Sequence, residues 1–407
     1  MALIVQKFGG SSVADVACMQ RVACRIRDAK QAGNQLVVVV SAMGDTTDDL
    51  IALAKQINPR PADREMDMLM STGEVISSSI LTMALHALGE EAVSLTGPQA
   101  GIYTDEIHTK AKIRDIRPDL IRHHLDRGCV VIVAGFQGLT PAGEIATLGR
   151  GGSDTTAVAL AAAIQADRCQ IFTDVDGVYT TDPRMVKEAR KLDVIAYDEM
   201  LELASLGAKV LQSRSVEFAK KYNVELEVLS SFTGNPGTVV TGEVKEMEDI
   251  FVRGVAADIN QAKVTLQAVP DQPGIAARIF KQLAAEAINV DMIVQNVSEQ
   301  GSTDLSFTVP EDDLVRVRGC VDKLCIDVGA RGATYDDKIA KVSIVGVGMR
   351  SHSGIAFKMF DALAQNDINI EMISTSEIKI SVVIERSRAL DAVRILHESF
   401  ELQGAPA

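Results

Sequence analysis

The sequence has few of the features that mark secreted, metal-binding or membrane proteins. It contains no tryptophan and only 4% aromatic residues, and its six cysteines are scattered without a CxxC pair. This spacing predicts neither a disulfide framework nor a zinc site, and reduced thiols in the cytoplasm are expected. The amino terminus lacks the basic and apolar regions of a signal peptide. No apolar run approaches the ~18 residues of a membrane-spanning helix, so no membrane partner is expected.

Positive charge is also in short supply. Lysine and arginine total 41 against 55 aspartate and glutamate residues, which gives a net charge of −14. Because non-specific nucleic-acid binding needs basic surface to displace phosphate counterions, no nucleic-acid partner is expected. Any site for an anionic ligand must therefore concentrate its cations locally.

Strand and helix patterns alternate before about residue 240 of the 407. Five short, continuous apolar runs predict buried parallel strands, at Leu3–Gln6, Leu36–Val40, Val130–Ala134, Gln170–Thr173 and Glu225–Leu229. Helical spacing of apolar residues predicts helices between them, at Val13–Ala32, Ile76–Leu88, Asp154–Gln165 and Met200–Tyr222. This alternation indicates a layered α/β domain, whose ligands collect at the carboxyl ends of the strands.

The rest of the chain contains an internal repeat. Gly274-Ile275-Ala276 and Ile288–Ile293 recur as Gly354-Ile355-Ala356 and Ile368–Ile373. Each copy has the pattern strand, Gly-containing turn, amphipathic helix and two strands, which predicts two small βαββ modules. The predicted division is an α/β domain at 1–245, a linker at 246–262 and modules at 263–340 and 341–407.

The first candidate ligand loop is Lys7-Phe8-Gly9-Gly10-Ser11-Ser12. It follows a predicted strand and precedes a helix, so its glycines and helix-start amides suit an anion, with the Lys7 cation beside them. The order differs from that of a Walker loop, in which the lysine follows the glycines. A strand-to-helix turn with a surface lysine is the alternative.

The second candidate loop is Gly149-Arg150-Gly151-Gly152-Ser153-Asp154, at the start of a predicted helix. Ser153 or Asp154 as a simple helix cap is the alternative here. Three glycines around an arginine exceed what capping requires, and the planar guanidinium of Arg150 suits a carboxylate. We therefore expect this loop to bind a ligand.

Three weaker segments carry polar groups at the ends of predicted elements. Thr173–Tyr179 with Thr181–Arg184 suits either a nucleotide platform or a solvated turn. The remaining ligands of a calcium loop are missing there, so calcium is rejected. Ser41–Thr47 follows a strand, and Ser71–Glu74 is expected to precede a helix beginning at Val75; each also fits a plain cap or turn.

Taken in order, the motifs KFGGSS, SAM, GE, FQG, TLGRGGSD and TDVDGVYT–TDPR resemble those of monofunctional bacterial aspartate kinases, over nearly all of the chain. The resemblance implies an amino-acid-kinase (carbamate-kinase-like) αβα sandwich with a mainly parallel sheet, followed by two ferredoxin-like βαββ ACT domains. It also implies transfer of phosphate from ATP to the side chain of aspartate, the first step towards lysine, threonine and methionine. Two departures are Val75, where relatives usually have Gln or Arg, and Gln212-Ser213, which replaces the His-Pro of some relatives.

The resemblance also implies a role for each matching residue. Lys7 and Asp154 would be the catalytic pair, and Mg²⁺ would be bound chiefly through the nucleotide phosphates, without a metal site of protein ligands. The implied ATP site comprises Lys7, Phe8, Gly9, Gly10, Ser11, Ser41, Thr173, Asp174, Tyr179, Asp182, Arg184 and Lys209. Arg150 would bind the α-carboxylate of aspartate and Glu74 its ammonium group, within the set Thr47, Glu74, Arg150, Gly151, Gly152, Ser153 and Asp154.

For the ACT domains the resemblance implies feedback inhibition by lysine, threonine or both, with inert dimerisation modules as the alternative. The implied effector residues are Asp271, Gly274, Ile275, Ala276, Asn289, Asp291, Gln295, Asn296, Ser353, Gly354, Asn369, Ser374, Thr375 and Glu377. A homo-oligomer paired through these domains is expected. An internal start near Met247 would add a shorter, ACT-only chain.

Other functions fit the sequence less well. Glutamate, acetylglutamate and uridylate kinases share the implied fold but lack this ordered motif set with tandem ACT domains. A bifunctional kinase–homoserine dehydrogenase would need a further catalytic domain, for which the sequence after the second repeat leaves no room. A catalytically inactive amino-acid sensor is expected to lose Lys7, Arg150 or Asp154, and all three are present.

Overall fold

The first part of the chain is built on a mainly parallel sheet. The computed structural model describes residues 1–206, 210–242, 252–296, 301–347, 349, 352 and 354–403. Its first twelve strands are β1 (Leu3–Phe8), β2 (Gln35–Val40), β3 (Ala92–Leu95), β4 (Ile102–Thr104), β5 (Ile113–Ile116), β6 (Val130–Ala134), β7 (Gln137–Leu139), β8 (Ile145–Thr147), β9 (Arg168–Thr173), β10 (Val194–Ala196), β11 (Leu226–Ser230) and β12 (Thr238–Thr241).

Eight of these strands form one sheet in the order β10-β12-β11-β9-β1-β2-β6-β3. All neighbouring pairs are parallel except β11 with β12. The five strands expected from sequence are the consecutive ones from β11 to β6, so that prediction is confirmed. Their shared direction brings five carboxyl ends to one edge. Strands β5, β4, β7 and β8 form a separate small sheet in that order.

Seven helices are described in this part, and two of the predicted helices were wrong in extent. They are α1 (Val16–Gln31), α2 (Thr46–Ile57), α3 (Asp63–Ala87), α4 (Asp119–Asp126), α5 (Gly152–Ile164), α6 (Tyr197–Ser205) and α7 (Ser213–Tyr222). The single helix predicted at Met200–Tyr222 is two helices, because the backbone at Gln212 is extended. Helix α3 begins well before Val75, so Ser71–Glu74 lies inside it and does not precede it.

Gly73 explains how α3 passes through the predicted turn. A Cβ at this position would lie 2.8 Å from Cβ of Ala42, so only glycine lets the helix approach the segment after β2 so closely. By length and composition α3 is the one described helix that would suffice to cross a membrane, yet half of its most apolar window is buried inside the protein. The buried Asp67 and Glu74 on the same helix fit a core helix.

The second part of the chain contains one six-stranded antiparallel sheet, in the order β14-β15-β13-β16-β18-β17. Its strands are β13 (Gly254–Pro270), β14 (Ile293–Gln295), β15 (Ser302–Pro310), β16 (Gly332–Val345), β17 (Met372–Thr375) and β18 (Lys379–Glu385). Its helices are α8 (Ile275–Ala285), α9 (Leu314–Val328), α10 (Ile355–Ala364) and α11 (Ala389–Ser399). Each repeat is therefore βαββα, and the predicted βαββ pattern missed α9 and α11, whose apolar faces enter the two cores.

Contacts divide the chain into two units, one of Met1–Tyr179 with Lys191–Glu246 and the other of Thr180–Arg190 with Met247–Ala407. Strand β13 begins at Gly254, so the predicted linker at 246–262 includes strand residues that pair with β16. The exact domain limits remain a prediction, and Met247 lies outside the described residues.

The insertion of Thr180–Arg190 into the second unit has a clear physical basis. The buried Thr180 hydroxyl contacts Nε2 of the equally buried His397 at 2.9 Å, and it donates to the Leu402 carbonyl at 3.2 Å. Val186 packs into the apolar cluster that contains Leu396. Burial also lowers the pKa of His397. These contacts hold the segment in the core formed by the second repeat.

Candidate active site

The loops that follow four adjacent parallel strands are joined by backbone hydrogen bonds at the carboxyl edge of the sheet. The amide of Gly9 donates to Phe172 at 3.3 Å, that of Ser41 to Phe8 at 3.1 Å, and that of Gly135 to Val40 at 3.0 Å. The Phe8 and Phe172 rings stack 4.6 Å apart beneath them. The segments after β1, β2, β6 and β9 are therefore neighbours, as expected for a ligand site on a parallel sheet.

Lys7 and Asp154 form an ion pair at this edge. Nζ of Lys7 lies 2.5 Å from Oδ1 of Asp154, and the two side chains are only 12% and 9% exposed. Lys7 comes from the end of β1 and Asp154 from the first turn of α5, so the pair joins the two Gly-rich loops. A partly buried pair of this kind fixes the ammonium group in one place, which an isolated surface lysine would not achieve.

Gly10 of the first loop is closely packed, so a side chain there would force its neighbours to shift. A Cβ at Gly10 would lie 3.0 Å from the Ala42 carbonyl oxygen and 3.1 Å from that of Gly44. The amide of Gly44 donates to the Gly10 carbonyl at 3.1 Å. The segments after β1 and β2 are thus in direct contact, which brings Ser41 close to the Lys7 loop. Ser11, at the start of the short 3-10 helix Gly10–Val13, is exposed.

The second loop places Ser153 and Asp154 inside α5, not at its cap. Gly151 precedes the helix in the left-handed region, with φ of 68°, and no side chain caps the helix. A Cβ at Gly152 would lie 2.8 Å from the Phe136 ring, and one at Gly135 would lie 2.8 Å from Oγ of Ser153. The capping alternative is therefore wrong. Arg150, in the turn before the helix, is exposed.

Glu74 is a buried carboxyl group with one oxygen left unpaired. Its Oε1 accepts a hydrogen bond from the Ala42 amide at 3.1 Å, whereas Oε2 has no hydrogen-bond partner among the described residues. Burial raises the pKa of Glu74 to about 7, and the Ala42 amide only partly opposes this shift. An unpaired buried carboxyl oxygen suits a cationic ligand group, because such a group would stabilise the ionised form.

The other residues predicted to bind substrates are distributed unevenly. Thr47 lies in the first turn of α2. The Thr173 hydroxyl donates to the carboxylate of Asp174 at 3.0 Å, and Tyr179 pairs with Lys191. Asp182 and Arg184 form a 2.7 Å ion pair within the segment that belongs to the second unit. Lys209 lies outside the described residues.

Five of the predicted effector residues line one surface pocket of the second unit: Asp271, Gly274, Ile275, Ala276 and Gln295. Asp291 instead forms an ion pair with Lys341, and the Asn296 carbonyl accepts from Thr303 at 2.6 Å. Asn289 and Asn369 are exposed and occupy equivalent places in the two repeats. Gly354 directly precedes α10 with φ of 107°, Ser374 and Thr375 lie on β17, and Glu377 follows that strand. Ser353 lies outside the described residues.

Sequence reasoning missed one residue pair at the carboxyl edge. The buried hydroxyls of Ser12 and Ser231 lie 2.5 Å apart, and the Ser231 amide donates to Thr173 at 2.8 Å. Ser231 directly follows β11, a strand that was predicted. A hydroxyl at the end of a predicted strand was the signal that could have indicated this pair.

Within the described residues, no group of three or more His, Cys, Asp or Glu side chains is arranged to hold a metal ion.

Comparison with known families agrees with this geometry. A family model described as "Amino acid kinase family" matches residues 2–230, and one described as "ACT domain" matches residues 267–323 and 342–400. An aspartate kinase of Pseudomonas putida is 55% identical over 408 residues, covering 100% of this chain and 99% of that protein. An aspartokinase of Pseudomonas aeruginosa is also 55% identical, with 100% and 99% covered.

Solved structures show the same similarity. Escherichia coli aspartokinase III in complex with aspartate and ADP is 27% identical, with a TM-score of 0.84 and coverage of 98% of this chain and 99% of that one. The same enzyme in complex with lysine and aspartate has a TM-score of 0.75 over the same shares. The chain therefore belongs to the amino acid kinase family and, within it, to the aspartate kinases that carry ACT domains.

The unpaired carboxyl of Glu74 yields a prediction about stability. Its pKa is raised, so between about pH 4.5 and about pH 7 the folded protein retains a proton that the unfolded chain loses. Stability contributed by this group is present at low pH and is lost as pH rises. We therefore expect the unfolding free energy of Glu74→Gln, relative to that of wild type, to increase by up to ~3 kcal/mol as the pH rises through that window.

Urea denaturation between about pH 5 and about pH 8 measures this difference. Glu65→Gln, which changes an exposed carboxyl on the same helix, is the matched control and should show no such trend. A difference between Glu74→Gln and wild type that does not vary with pH would contradict the raised pKa.

Proposed function

We propose that this chain transfers the γ-phosphoryl group of ATP to the side-chain carboxylate of L-aspartate, giving ADP and 4-phospho-L-aspartate. The observation that carries the proposal is the Lys7–Asp154 ion pair, which joins the two Gly-rich loops at the carboxyl edge of the sheet. Full-length similarity to aspartate kinases supports the choice of aspartate as substrate.

The chemistry requires electrostatic help more than a base. The side-chain carboxyl of aspartate, with a pKa of about 3.9, is already ionised at neutral pH and attacks phosphorus directly. The obstacle is repulsion between this anion and the polyphosphate. In the proposed site Lys7, held by Asp154, faces the transferring phosphate, while the amides of Gly9, Gly10 and Ser11 surround it. Positioning and charge compensation then account for most of the rate.

Aspartate is held at both of its charged ends. Arg150 is exposed in the second loop and pairs with the α-carboxylate, while the unpaired Oε2 of Glu74 accepts from the α-ammonium group. Ser153 and Thr47 then hold the reacting carboxylate, and Gly151 and Gly152 let the backbone approach it. Binding the ammonium group ionises Glu74, so the substrate offsets the burial of that carboxylate.

The nucleotide lies along Phe8, Ser41, Thr173, Asp174 and Tyr179, at the ends of β1, β2 and β9 and in the segment after β9. Asp182, Arg184 and Lys209 are the remaining residues predicted from sequence to bind the nucleotide. Mg²⁺, carried by the phosphates, supplies further neutralisation of their charge when bound. The chain's own contribution is a fixed cation at Lys7 and a loop whose glycines leave room for the phosphates.

Regulation is proposed to act through the ACT domains, with lysine, threonine or both as inhibitor. The pocket lined by Asp271 and Gln295 has a Gly-containing turn at one side, as expected for an amino-acid site. Aspartokinase III of Escherichia coli has been solved with lysine and aspartate, described as its T-state. In this chain Thr180–Arg190 directly follows Tyr179 and is packed in the second unit, which offers a covalent route from effector to nucleotide residues.

The assembly is proposed to be a homo-oligomer paired through ACT domains, and a shorter chain beginning near Met247 would carry the same modules. The proposed location is the cytoplasm, where the free state of all six cysteines is expected. The products then enter biosynthesis of lysine, threonine and methionine.

Removal of the Lys7 ammonium group tests the catalytic proposal. We expect Lys7→Ala to lower kcat by at least ~100-fold, on the scale of losing one preorganised charge donor, with a much smaller change in aspartate binding. Trapping the acyl phosphate with hydroxylamine, with aspartate or glutamate as acceptor, measures turnover. Lys55→Ala, at an exposed position on α2, is the control. Near-normal turnover of Lys7→Ala would refute the role of this residue.

Substitution in the pocket of the second unit tests the regulatory proposal. We expect lysine or threonine to inhibit wild type, and Asp271→Ala or Gln295→Ala to require a concentration about tenfold higher, since each removes a polar partner of the effector. Lys281→Ala, exposed on α8 outside this pocket, should leave inhibition unchanged. Inhibition equal to wild type in both pocket variants would show that the effector binds elsewhere.

A further inference from the structure

A buried carboxylate outside the proposed ligand set is hydrogen-bonded to the backbone segments next to the second loop. Asp67, on α3, is fully buried and accepts a hydrogen bond from the Thr147 hydroxyl at 2.5 Å. The Thr109 amide donates to the same carboxylate at 3.0 and 3.1 Å, and Nδ1 of His108 lies 2.8 Å from it. Asp67 therefore bridges two chain segments, one at 108–109 and one ending at Thr147.

A guanidinium group bridges the same two segments. It comes from a residue that follows them in the chain, whereas Asp67 precedes them. Arg214, at the start of α7, donates to the Leu148 carbonyl at 2.8 Å and to the Ala111 carbonyl at 2.8 Å. Charged donors to carbonyl groups make stronger hydrogen bonds than neutral donors. Arg214 is the second residue after Gln212, whose extended backbone precedes α7, so the start of this helix places it against the loop.

The two bridged segments also contact each other directly. The Ala111 amide donates to the Thr147 carbonyl at 2.9 Å. Gly149 has φ of 77°, and a Cβ there would lie 3.0 Å from the Thr109 carbonyl oxygen. The next residue after Gly149 is Arg150. Asp67 and Arg214 thus fix the backbone immediately before the proposed ligand of the α-carboxylate.

Asp67 also connects the two residues proposed to bind opposite ends of aspartate. It lies seven residues before Glu74 on α3, and residues at that spacing share one helix face. Its bond to Thr147 ties the helix that carries Glu74 to the loop that carries Arg150. The separation between the carboxylate and the guanidinium group is therefore set partly through this bond.

We propose that Asp67 and Arg214 are positioning residues for the amino-acid substrate: together they clamp segments 108–111 and 147–149, and so fix Arg150 relative to Glu74. This inference rests on the proposed binding of aspartate by Arg150 and Glu74. Neither residue is proposed to contact substrate. Loss of the clamp should weaken aspartate binding and leave nucleotide binding largely unaffected, because the segments after β1 and β9 are held by separate hydrogen bonds.

Two mild substitutions in the full-length chain test the clamp. Arg214→Met keeps the aliphatic stem but removes both donors, and Thr147→Val keeps the branched shape but removes the bond to Asp67. For each we expect the KM for aspartate to rise about tenfold, the KM for ATP to stay within about twofold, and kcat to fall less than the aspartate KM rises. Arg214→Lys, which retains one donor, should restore part of the lost affinity.

The controls are Lys221→Met on α7 and Asp63→Asn on α3, both at exposed positions of the same helices. Melting temperatures are recorded for every variant. An aspartate KM equal to wild type in Arg214→Met and Thr147→Val would overturn the proposal, as would equal rises in both KM values with a lower melting temperature. Failure of wild type itself to phosphorylate aspartate would instead refute the proposed function, so the two failures are distinguishable.

Discussion

The proposed reaction brings two anions together, and in the proposed site the Lys7–Asp154 ion pair offsets the repulsion between them. The chain as a whole carries a net charge of −14, so a cation at the reaction centre has to be held there by local structure. β1 supplies Lys7, α5 supplies Asp154, and the pair is almost buried at 2.5 Å. The parallel sheet matters because it brings the ends of those elements to one edge.

Sequence patterns predicted the sheet better than the helices. The five central strands are continuous apolar runs, and burial on both faces leaves little ambiguity in such runs. Helix α3 was predicted too short because Gly73 was interpreted as part of a turn. The reason for a glycine inside the helix is its close contact with Ala42, which is distant in sequence. The helices α9 and α11 were missed because the repeat was recognised from its turns and strands. Lys7, Glu74 and Asp154 lie in motifs and were predicted as site residues, a role that stays a prediction, whereas the contact of Ser12 with Ser231 and the contacts of Asp67 and Arg214 depend on tertiary structure.

Thr180–Arg190 is inserted between Tyr179 and Lys191 of the first unit, yet its Thr180 and Val186 are buried in the core of the second. The chain therefore passes from the first unit to the second after Tyr179 and returns to the first unit after Arg190. Asp182 and Arg184 were predicted from sequence to bind the nucleotide. That they belong to the second unit depends on tertiary contacts and could not be predicted from the motif.

The proposed site supplies charge and position and needs no general base. The pH dependence of kcat at saturating ATP and aspartate measures this most directly. Because the aspartate side chain is already ionised and the bound ammonium group keeps Glu74 ionised, kcat should change by less than about twofold between about pH 6 and about pH 8. A tenfold fall in kcat per pH unit below neutrality would indicate an essential base and contradict the account.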